Sequence, residues 1–331
     1  MPGTRYERKF KKRISEIEKE KGISGKNDHY VPQFLLRNFA IEENGRKTDY
    51  IFEYKRQALV PSRILIESAA SELGYYDTKR KSTKEKNNLA DRLMQPIESD
   101  ASVIIKKLIS CSSVRLNNKE ENSLASFVAN LYTRTPAFRE QIKRFLQYLI
   151  ENKFVKIEEL KDEKLLNEIF NENKFNIDIQ MLRKYKPEID IEYKSEDLLI
   201  IISLLVAAKL SEDLFYRHVN ILESDADDFL INDNPVFISD LKKYPRWPAG
   251  WNFTEEEVVF MPICRNRCLV YDNKPFNKKI ISADSDLAAF ITFNLIVGTE
   301  TYLYSFIDDK DIQNGLNSTP KMRERVFPIS E

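Results

Sequence analysis

Two histidines occur among the 331 residues of the chain, and His29 lies in a segment with other reactive side chains. Gln33 and Arg37 are four residues apart, so they share one face of a helix expected to begin near Pro32. One interpretation makes His29 a general base or a ligand and Arg37 a clamp for an anion. The alternative is structural, with His29 and Arg37 tying the N-terminus to the body of the protein.

A second group of ionisable residues is expected on inward helix faces. Arg134 continues the apolar stripe of its helix, and Glu98 shares a stripe with Met94 and Ile105. Because an unpaired buried charge is costly, we expect Arg134 and Glu98 to form an ion pair. The pair is either a structural bridge or part of an active site. In an active site, Glu98 is a general base or metal ligand and Arg134 binds an anionic oxygen.

Asp233 follows the apolar run 229–231 and precedes Asn234 and Pro235. A carboxylate at the end of a strand is aimed by a rigid element, which suits a metal ligand or a catalytic base. Asx turns before proline are equally common at such positions, so a turn-forming role stays open. Cys264 and Cys268 have no second pair of ligands, which argues against a four-ligand zinc site.

These segments resemble the motifs of a bacterial family of uncharacterised proteins, a domain of unknown function. Residues 29–39, HYVPQFLLRNF, resemble the opening HYVPQ..LR.F signature of that family. Further resemblances are LGYYD at 73–77, the RTP motif at 134–136 with Arg139 after it, the NDNP turn at 232–235 and the strand at 259–262. Asn232 stands where that turn usually has serine. The resemblance covers roughly residues 28–306 and implies a shared site, not a particular reaction.

The candidate site combines polar and ionisable residues from four separate segments. They are His29, Gln33, Arg37, Glu98, Arg134, Asp233 and Asn234. If they converge, they form a pocket with a histidine, two carboxylates and two arginines, which suits hydrolysis of an anionic ester.

We therefore expect a phosphodiesterase-type hydrolase, most simply a metal-dependent nuclease. His29 acts as general base, while Glu98 and Asp233 hold Mg²⁺ or Mn²⁺. Substrate is bound by Gln33, Arg37, Arg134 and Asn234. Analogy with the family adds a role in bacterial defence or as a toxin effector. One alternative is a non-enzymatic module that senses a nucleotide or binds a partner protein with the same pocket. Another is a buried structural network, with the function on a different surface.

Composition excludes several other classes of protein. With 42% apolar residues and 52 basic against 52 acidic side chains, the chain is not a disordered polyelectrolyte. A net charge near zero is no reason in itself to bind nucleic acid or membrane. Three cysteines are too few for a disulfide framework, and no secretory signal is visible, so we expect a cytosolic protein. The apolar run 198–208 is about half a membrane span. No glycine-rich motif for a nucleotide cofactor occurs.

The elements that position these residues are expected to form an α+β fold, with helices in the middle and a mostly antiparallel sheet at the end. Periodicity predicts a hairpin over 49–55 and 57–65, helices over 84–110, 118–149 and 195–215, and a break at Pro96. Strands are expected at 216–222, 228–231, 257–263, 267–272 and 301–306, and helices at 284–297 and 308–315. Residues 1–27 are expected to be a polar arm, either a solvated tail or an arm that contacts nucleic acid. Residues 28–331 are expected to be one domain with a peripheral helical insertion at about 150–194.

Overall fold

A computed structural model shows the predicted α+β fold, in which helices combine with mostly antiparallel sheets. The structure describes residues 27–76, 78–79, 86–87, 89–151, 196–226, 229–240, 256–275 and 280–319. The predicted N-terminal arm and the predicted insertion at 150–194 lie almost entirely outside these ranges.

Seven helices are present within the described ranges. They are α1 (Gln33–Leu36), α2 (Leu89–Ser110), α3 (Asn118–Thr133), α4 (Pro136–Glu151), α5 (Glu196–Phe215), α6 (Ser285–Gly298) and α7 (Lys310–Ser318). The apolar helix predicted over 195–215 and both C-terminal helices are confirmed as α5, α6 and α7. Among the described residues, no helix combines the length and the apolarity that crossing a membrane requires.

The region predicted as one helix over 118–149 contains two. Asn117 and Glu120 start α3 with a capping box, in which each side chain accepts a hydrogen bond from the backbone N–H of the other. Arg134 closes α3, and Thr135 precedes Pro136, whose ring disfavours a helical backbone at the residue before it. Pro136 then begins α4, where its missing N–H costs nothing. The proline therefore sets the boundary that periodicity alone did not place.

Pro96 does not break α2, contrary to the prediction. The helix runs from Leu89 to Ser110 with Pro96 inside it. A proline removes one intrahelical hydrogen bond and crowds the preceding turn. The buried side chains of Met94, Ala101 and Ile105 pack into the core on either side of it, and this packing offsets the local loss. The continuous helix places Glu98 one turn after Met94 on the same inward face.

Fifteen short strands form the β part of the described ranges. They are β1 (Asn27–His29), β2 (Glu42–Glu43), β3 (Arg46–Lys47), β4 (Tyr50–Lys55), β5 (Ser62–Leu65), β6 (Ser71–Leu73), β7 (Thr78–Lys79), β8 (Lys86–Asn87), β9 (His218–Glu223), β10 (Ile231–Asn232), β11 (Phe237–Asp240), β12 (Glu257–Cys264), β13 (Arg267–Asp272), β14 (Ile280–Ser282) and β15 (Tyr302–Ser305). The predicted hairpin is confirmed as β4 and β5, and each predicted C-terminal strand overlaps an observed one.

These strands make two larger sheets and three two-stranded ribbons. The first sheet has the antiparallel order β10-β15-β4-β5. The second has the order β11-β12-β13-β9-β14, antiparallel except for β14, which runs parallel to β9. The ribbons are β1-β6, β2-β3 and β7-β8. The first ribbon carries the candidate site residue His29.

One hydrophobic core joins the helices to both sheets. In its helical part, α3 packs against α5 and α2. The apolar residues of the HYVPQ..LR.F signature belong to this core, since Val31, Leu35, Leu36 and Phe39 are all fully buried. The core anchors the signature segment and leaves its polar side chains outside the apolar packing.

Candidate functional site

The ribbon β1-β6 joins the first two sequence motifs. In it, Asp28 pairs with Glu72 and His29 with Ser71. Asp28 is buried, and its Oδ2 accepts a hydrogen bond from the backbone N–H of Tyr76 at 3.1 Å. The Tyr76 hydroxyl donates to the carbonyl of His29 at 3.3 Å. The backbone around His29 is therefore fixed against the tyrosines that follow β6.

Gln33 and Arg37 are joined by a hydrogen bond along one side of α1, and the Gln33 amide lies next to His29. Arg37 Nη2 donates to Gln33 Oε1 at 3.1 Å, which turns the Gln33 amide nitrogen toward His29 Nε2 at 3.4 Å. Arg37 is exposed, and its Nε lies 3.7 Å from a carboxylate oxygen of Asp49. Arg37 thus orients Gln33 from the solvent side.

The surroundings of His29 favour a neutral imidazole. Its Nε2 lies 3.0 Å from the carbonyl oxygen of Glu67, which can only accept, so this nitrogen carries the proton and Gln33 cannot donate to it. Burial lowers the pKa of His29, an effect that the Glu67 carbonyl and the Glu98 charge oppose and the Arg134 charge supports. Among the described residues Nδ1 has no hydrogen-bond partner, so its lone pair is available to accept a proton.

Arg134 and Glu98 form the ion pair that their helix faces predict. Arg134 Nη1 donates to Glu98 Oε1 and lies 3.4 Å from the Met94 sulfur. Its Nε donates to the carbonyl of Tyr30 at 2.7 Å. The Arg134 side chain is 5% exposed and that of Glu98 is 30% exposed. The guanidinium is therefore buried, while the carboxylate reaches solvent.

Arg139 is a second buried guanidinium, which sequence reasoning did not assign to the site. It is 6% exposed, and its Cζ lies 3.4 Å from the ring centroid of Tyr75, a cation–π contact. The Tyr75 hydroxyl donates to the Arg134 carbonyl at 2.8 Å, which links the two arginines. The sequence does contain a signal for Arg139, because it is a charged residue between the apolar Phe138 and Ile142 of α4. A charge on an apolar helix face is also the pattern that selected Arg134.

Both buried arginines line one small cavity. Tyr76, Asn130 of α3 and Ser203 of α5 contribute further polar groups to its wall, between apolar side chains. The space inside it that water can enter is about 10 Å³, which is the room of about one water molecule. Two of its lining side chains are guanidinium groups, of which that of Arg134 is paired with Glu98. Guanidinium groups suit an anionic group as a partner.

Asp233 lies directly after β10, as predicted, but backbone amides occupy both of its oxygens. Oδ1 accepts from the N–H of Glu300 at 2.9 Å, and Oδ2 accepts from those of Thr301 and Tyr302 at 2.6 and 2.8 Å. The side chain is buried, and burial raises the pKa of Asp233 to about 6 although the three hydrogen bonds oppose this. Asp233 thus joins its turn to the start of β15. Of the two roles that the sequence left open, these contacts match the turn-forming one.

Asn234 connects this turn to the RTP motif. Its Oδ1 accepts a hydrogen bond from the Thr135 hydroxyl at 3.2 Å, next to Arg134 in the chain. Neither Asp233 nor Asn234 lines the cavity. The structure therefore brings His29, Glu98 and Arg134 within electrostatic reach of one another and places the NDNP turn behind them as support.

The two carboxylates predicted to hold Mg²⁺ or Mn²⁺ have other partners. Glu98 is paired with Arg134, and Asp233 accepts three backbone hydrogen bonds. In the part of the chain that the structure describes, no group of three or more His, Cys, Asp or Glu side chains is arranged to hold a metal ion.

Comparison with known proteins agrees with the motif resemblance. No curated protein and no solved structure matches the chain. One family model does match, over residues 27–319, a range that includes every candidate site residue. The chain therefore belongs to the family described as Protein of unknown function (DUF4238).

Proposed function

We propose that this protein is a binding module for a small phosphate-bearing ligand of the nucleotide class, whose anionic group binds at the cavity beside Arg134 and Arg139. The observation that carries the proposal is the pair of buried guanidinium groups on a wall without a described carboxylate. Guanidinium groups bind phosphate through paired, charge-assisted hydrogen bonds, which strengthen away from water.

The size of the cavity limits how such a ligand could bind. The cavity has room for about one water molecule, so the phosphate group would meet the two arginines from outside it, and the base and sugar would lie further out. Three free cysteines fit a cytosolic setting, where such ligands are abundant. A module of this kind would respond to its ligand by becoming more stable, without turnover.

Replacement of Arg139 by alanine is expected to weaken binding of AMP, ATP or inorganic phosphate by about tenfold or more, because one charge-assisted hydrogen-bond donor is lost. Isothermal titration calorimetry on the full chain measures this. The matched control is Arg144→Ala on the same helix, since Arg144 is exposed and pairs with Glu140 at 3.3 Å. The proposal is refuted if none of the three probes binds the wild-type protein, or if a folded Arg139→Ala variant binds them unchanged.

A second candidate function is phosphoester hydrolysis, as in a nuclease of bacterial defence or a toxin effector. The neutral His29, with Nδ1 open and the charges of Glu98 and Arg134 nearby, favours it. In this scheme His29 Nδ1 takes a proton from the water that attacks phosphorus, the P–O bond to the leaving alcohol breaks, and the imidazolium returns the proton to the leaving oxygen. Arg134 stabilises the negative charge that grows on the phosphate oxygens, and Glu98 holds Arg134 in place.

Hydrolysis predicts that His29→Ala lowers the rate of RNA or DNA cleavage by about 10²–10⁴-fold, with little change in melting temperature. The control is His218→Ala, because His218 is the other histidine and is exposed. Assays with Mg²⁺, with Mn²⁺ and with EDTA test the expected metal directly. A His29→Ala protein that cleaves as fast as the wild type excludes His29 as the base.

A further inference from the structure

Ala70 holds a backbone conformation that alanine rarely adopts. Its φ is +48°, in the left-handed region, and the residue is 3% exposed. Only glycine enters this region freely, because a Cβ crowds the neighbouring carbonyl there. Ala70 lies between the 3₁₀ helix Ile66–Ser68 and β6, so this φ turns the chain from one into the other. A strained residue persists only where its surroundings hold it.

Two hydrogen bonds hold Ala70 in this conformation. Its N–H donates to the Tyr304 hydroxyl at 2.9 Å, in a buried contact, and its carbonyl accepts from the N–H of Tyr30 at 3.0 Å. Tyr304 lies in β15, between β10 and β4, and is fully buried. Burial raises the pKa of Tyr304 well above its usual range, so the hydroxyl stays neutral. A fixed side chain of the first sheet therefore supports the strained residue.

The turn that ends at Ala70 carries the carbonyl that faces His29. Ser71, the next residue, pairs with His29 in the ribbon β1-β6. The Glu67 carbonyl lies 3.0 Å from His29 Nε2, and the Gln33 amide nitrogen lies 3.4 Å from the same atom. The two contacts favour opposite tautomers, because a carbonyl needs N–H at Nε2 and an amide donor needs a lone pair there. The position of the Glu67 carbonyl thus decides the tautomer of His29.

We propose that Tyr304 is a positioning residue for His29, because its hydroxyl holds Ala70 in the left-handed conformation and so keeps the Glu67 carbonyl at Nε2. Without the hydroxyl, Ala70 relaxes toward negative φ and the carbonyl moves away from the imidazole. The Gln33 amide then donates to Nε2, and the imidazole exchanges its proton through solvent from Nε2 to Nδ1. In that tautomer Nδ1 has no lone pair to accept a proton. The role of Tyr304 in catalysis rests on the proposed hydrolysis, whereas its effect on the tautomer does not.

Long-range ¹H–¹⁵N NMR of the full chain with ¹⁵N-labelled histidine tests the proposal, at about pH 8.5, where imidazole is neutral in water. The chain has two histidines, so the exposed His218 serves as the internal reference. In the wild type, His29 is expected to carry its proton on Nε2. Tyr304→Phe is expected to lower the ratio of the Nε2–H to the Nδ1–H form of His29 by about fivefold or more, the equivalent of one hydrogen bond.

Two further variants separate positioning from stability. Tyr54 is a fully buried tyrosine of the neighbouring strand β4, and its hydroxyl accepts from the N–H of Asp309 at 2.8 Å. Tyr54→Phe therefore removes a comparable hydrogen bond, and the tautomer ratio of His29 is expected to stay at the wild-type value. In the double variant with Tyr304→Phe and Ala70→Gly, glycine adopts the left-handed φ without support. The ratio is then expected to return most of the way to the wild-type value.

Several results would overturn the role of Tyr304. They are a wild-type His29 with its proton on Nδ1, an unchanged ratio in a folded Tyr304→Phe protein, and an equal fall of the ratio in Tyr54→Phe. Should Tyr304→Phe not fold, the double variant decides. The wild-type ratio in it supports the proposal, and a lowered ratio or a failure to fold overturns it. Failure of the hydrolysis proposal looks different, because a fully active His29→Ala protein removes His29 as the base and leaves the effect of Tyr304 on the tautomer intact.

Discussion

Replacement of Arg134 by alanine is expected to lower the free energy of unfolding by about 3–5 kcal/mol, the usual cost of removing one partner of a buried ion pair. The variant loses the hydrogen bonds to Glu98 and to the carbonyl of Tyr30. Because Glu98 is 30% exposed, water recovers part of the loss. The expected result is therefore at the lower end of that range.

Urea unfolding followed by far-UV circular dichroism measures this loss, as a shift of the midpoint at constant slope. Arg144→Ala is the matched control, because its surface pair with Glu140 is worth about 0.3–0.5 kcal/mol. If the free energy of unfolding of Arg134→Ala lies within about 0.5 kcal/mol of the wild-type value, the pair does not hold α2 to α3. Arg134 would then have only its proposed role in binding, which the affinity of Arg134→Ala for phosphate tests.

The pair of Arg134 and Glu98 could be predicted because each is a charge on an apolar helix face. Such a residue must find a partner, and the two helices offered few choices. Sequence reasoning also placed Asp233 at a strand end, where both a catalytic and a turn-forming role were open. The backbone N–H groups that bind Asp233 belong to residues 300–302, far along the chain. The residues next to Asp233 therefore could not decide between the two roles.

The cavity itself could not be predicted, for a related reason. Ser203 interrupts an apolar run, and in the sequence it is indistinguishable from a serine bonded to its own helix. Asn130 looks like an ordinary helix residue. Only the packing of α3 against α5 brings these two groups to one cavity with Arg139. Local periodicity specifies which face of a helix is buried, but not which helix covers it.

Replacement of Asp233 by asparagine is expected to destabilise the protein by about 3 kcal/mol at neutral pH. The carboxylate uses two oxygens to accept three backbone hydrogen bonds, and an amide has only one oxygen. Either the N–H of Glu300 or those of Thr301 and Tyr302 would then face an NH₂ group in a buried site. The start of β15 loses its attachment to the turn after β10.

The stability lost in Asp233→Asn is expected to depend on pH, and the raised pKa of Asp233 sets the direction of that dependence. Burial raises the pKa of Asp233 to about 6, above the value of about 3.9 that an unfolded chain gives. The folded state binds the proton more tightly, so the stability gained from protonation is complete below about pH 4 and is lost as pH rises through about 6. Asparagine does not titrate. The stability difference between wild type and Asp233→Asn is therefore expected to widen as pH falls from about 7 to about 4.

Urea unfolding of both proteins across this pH range tests the sign. His29, whose lowered pKa acts in the opposite direction, is present in both and cancels. The charge of Asp233 also contributes to the raised pKa of Glu53, so a Glu53→Gln background in both proteins removes that coupling. A difference that narrows toward low pH would mean that the three N–H groups outweigh burial and hold Asp233 as a carboxylate. Asp233 would then be an anion fixed by the backbone, and the turn would be strongest when it is charged.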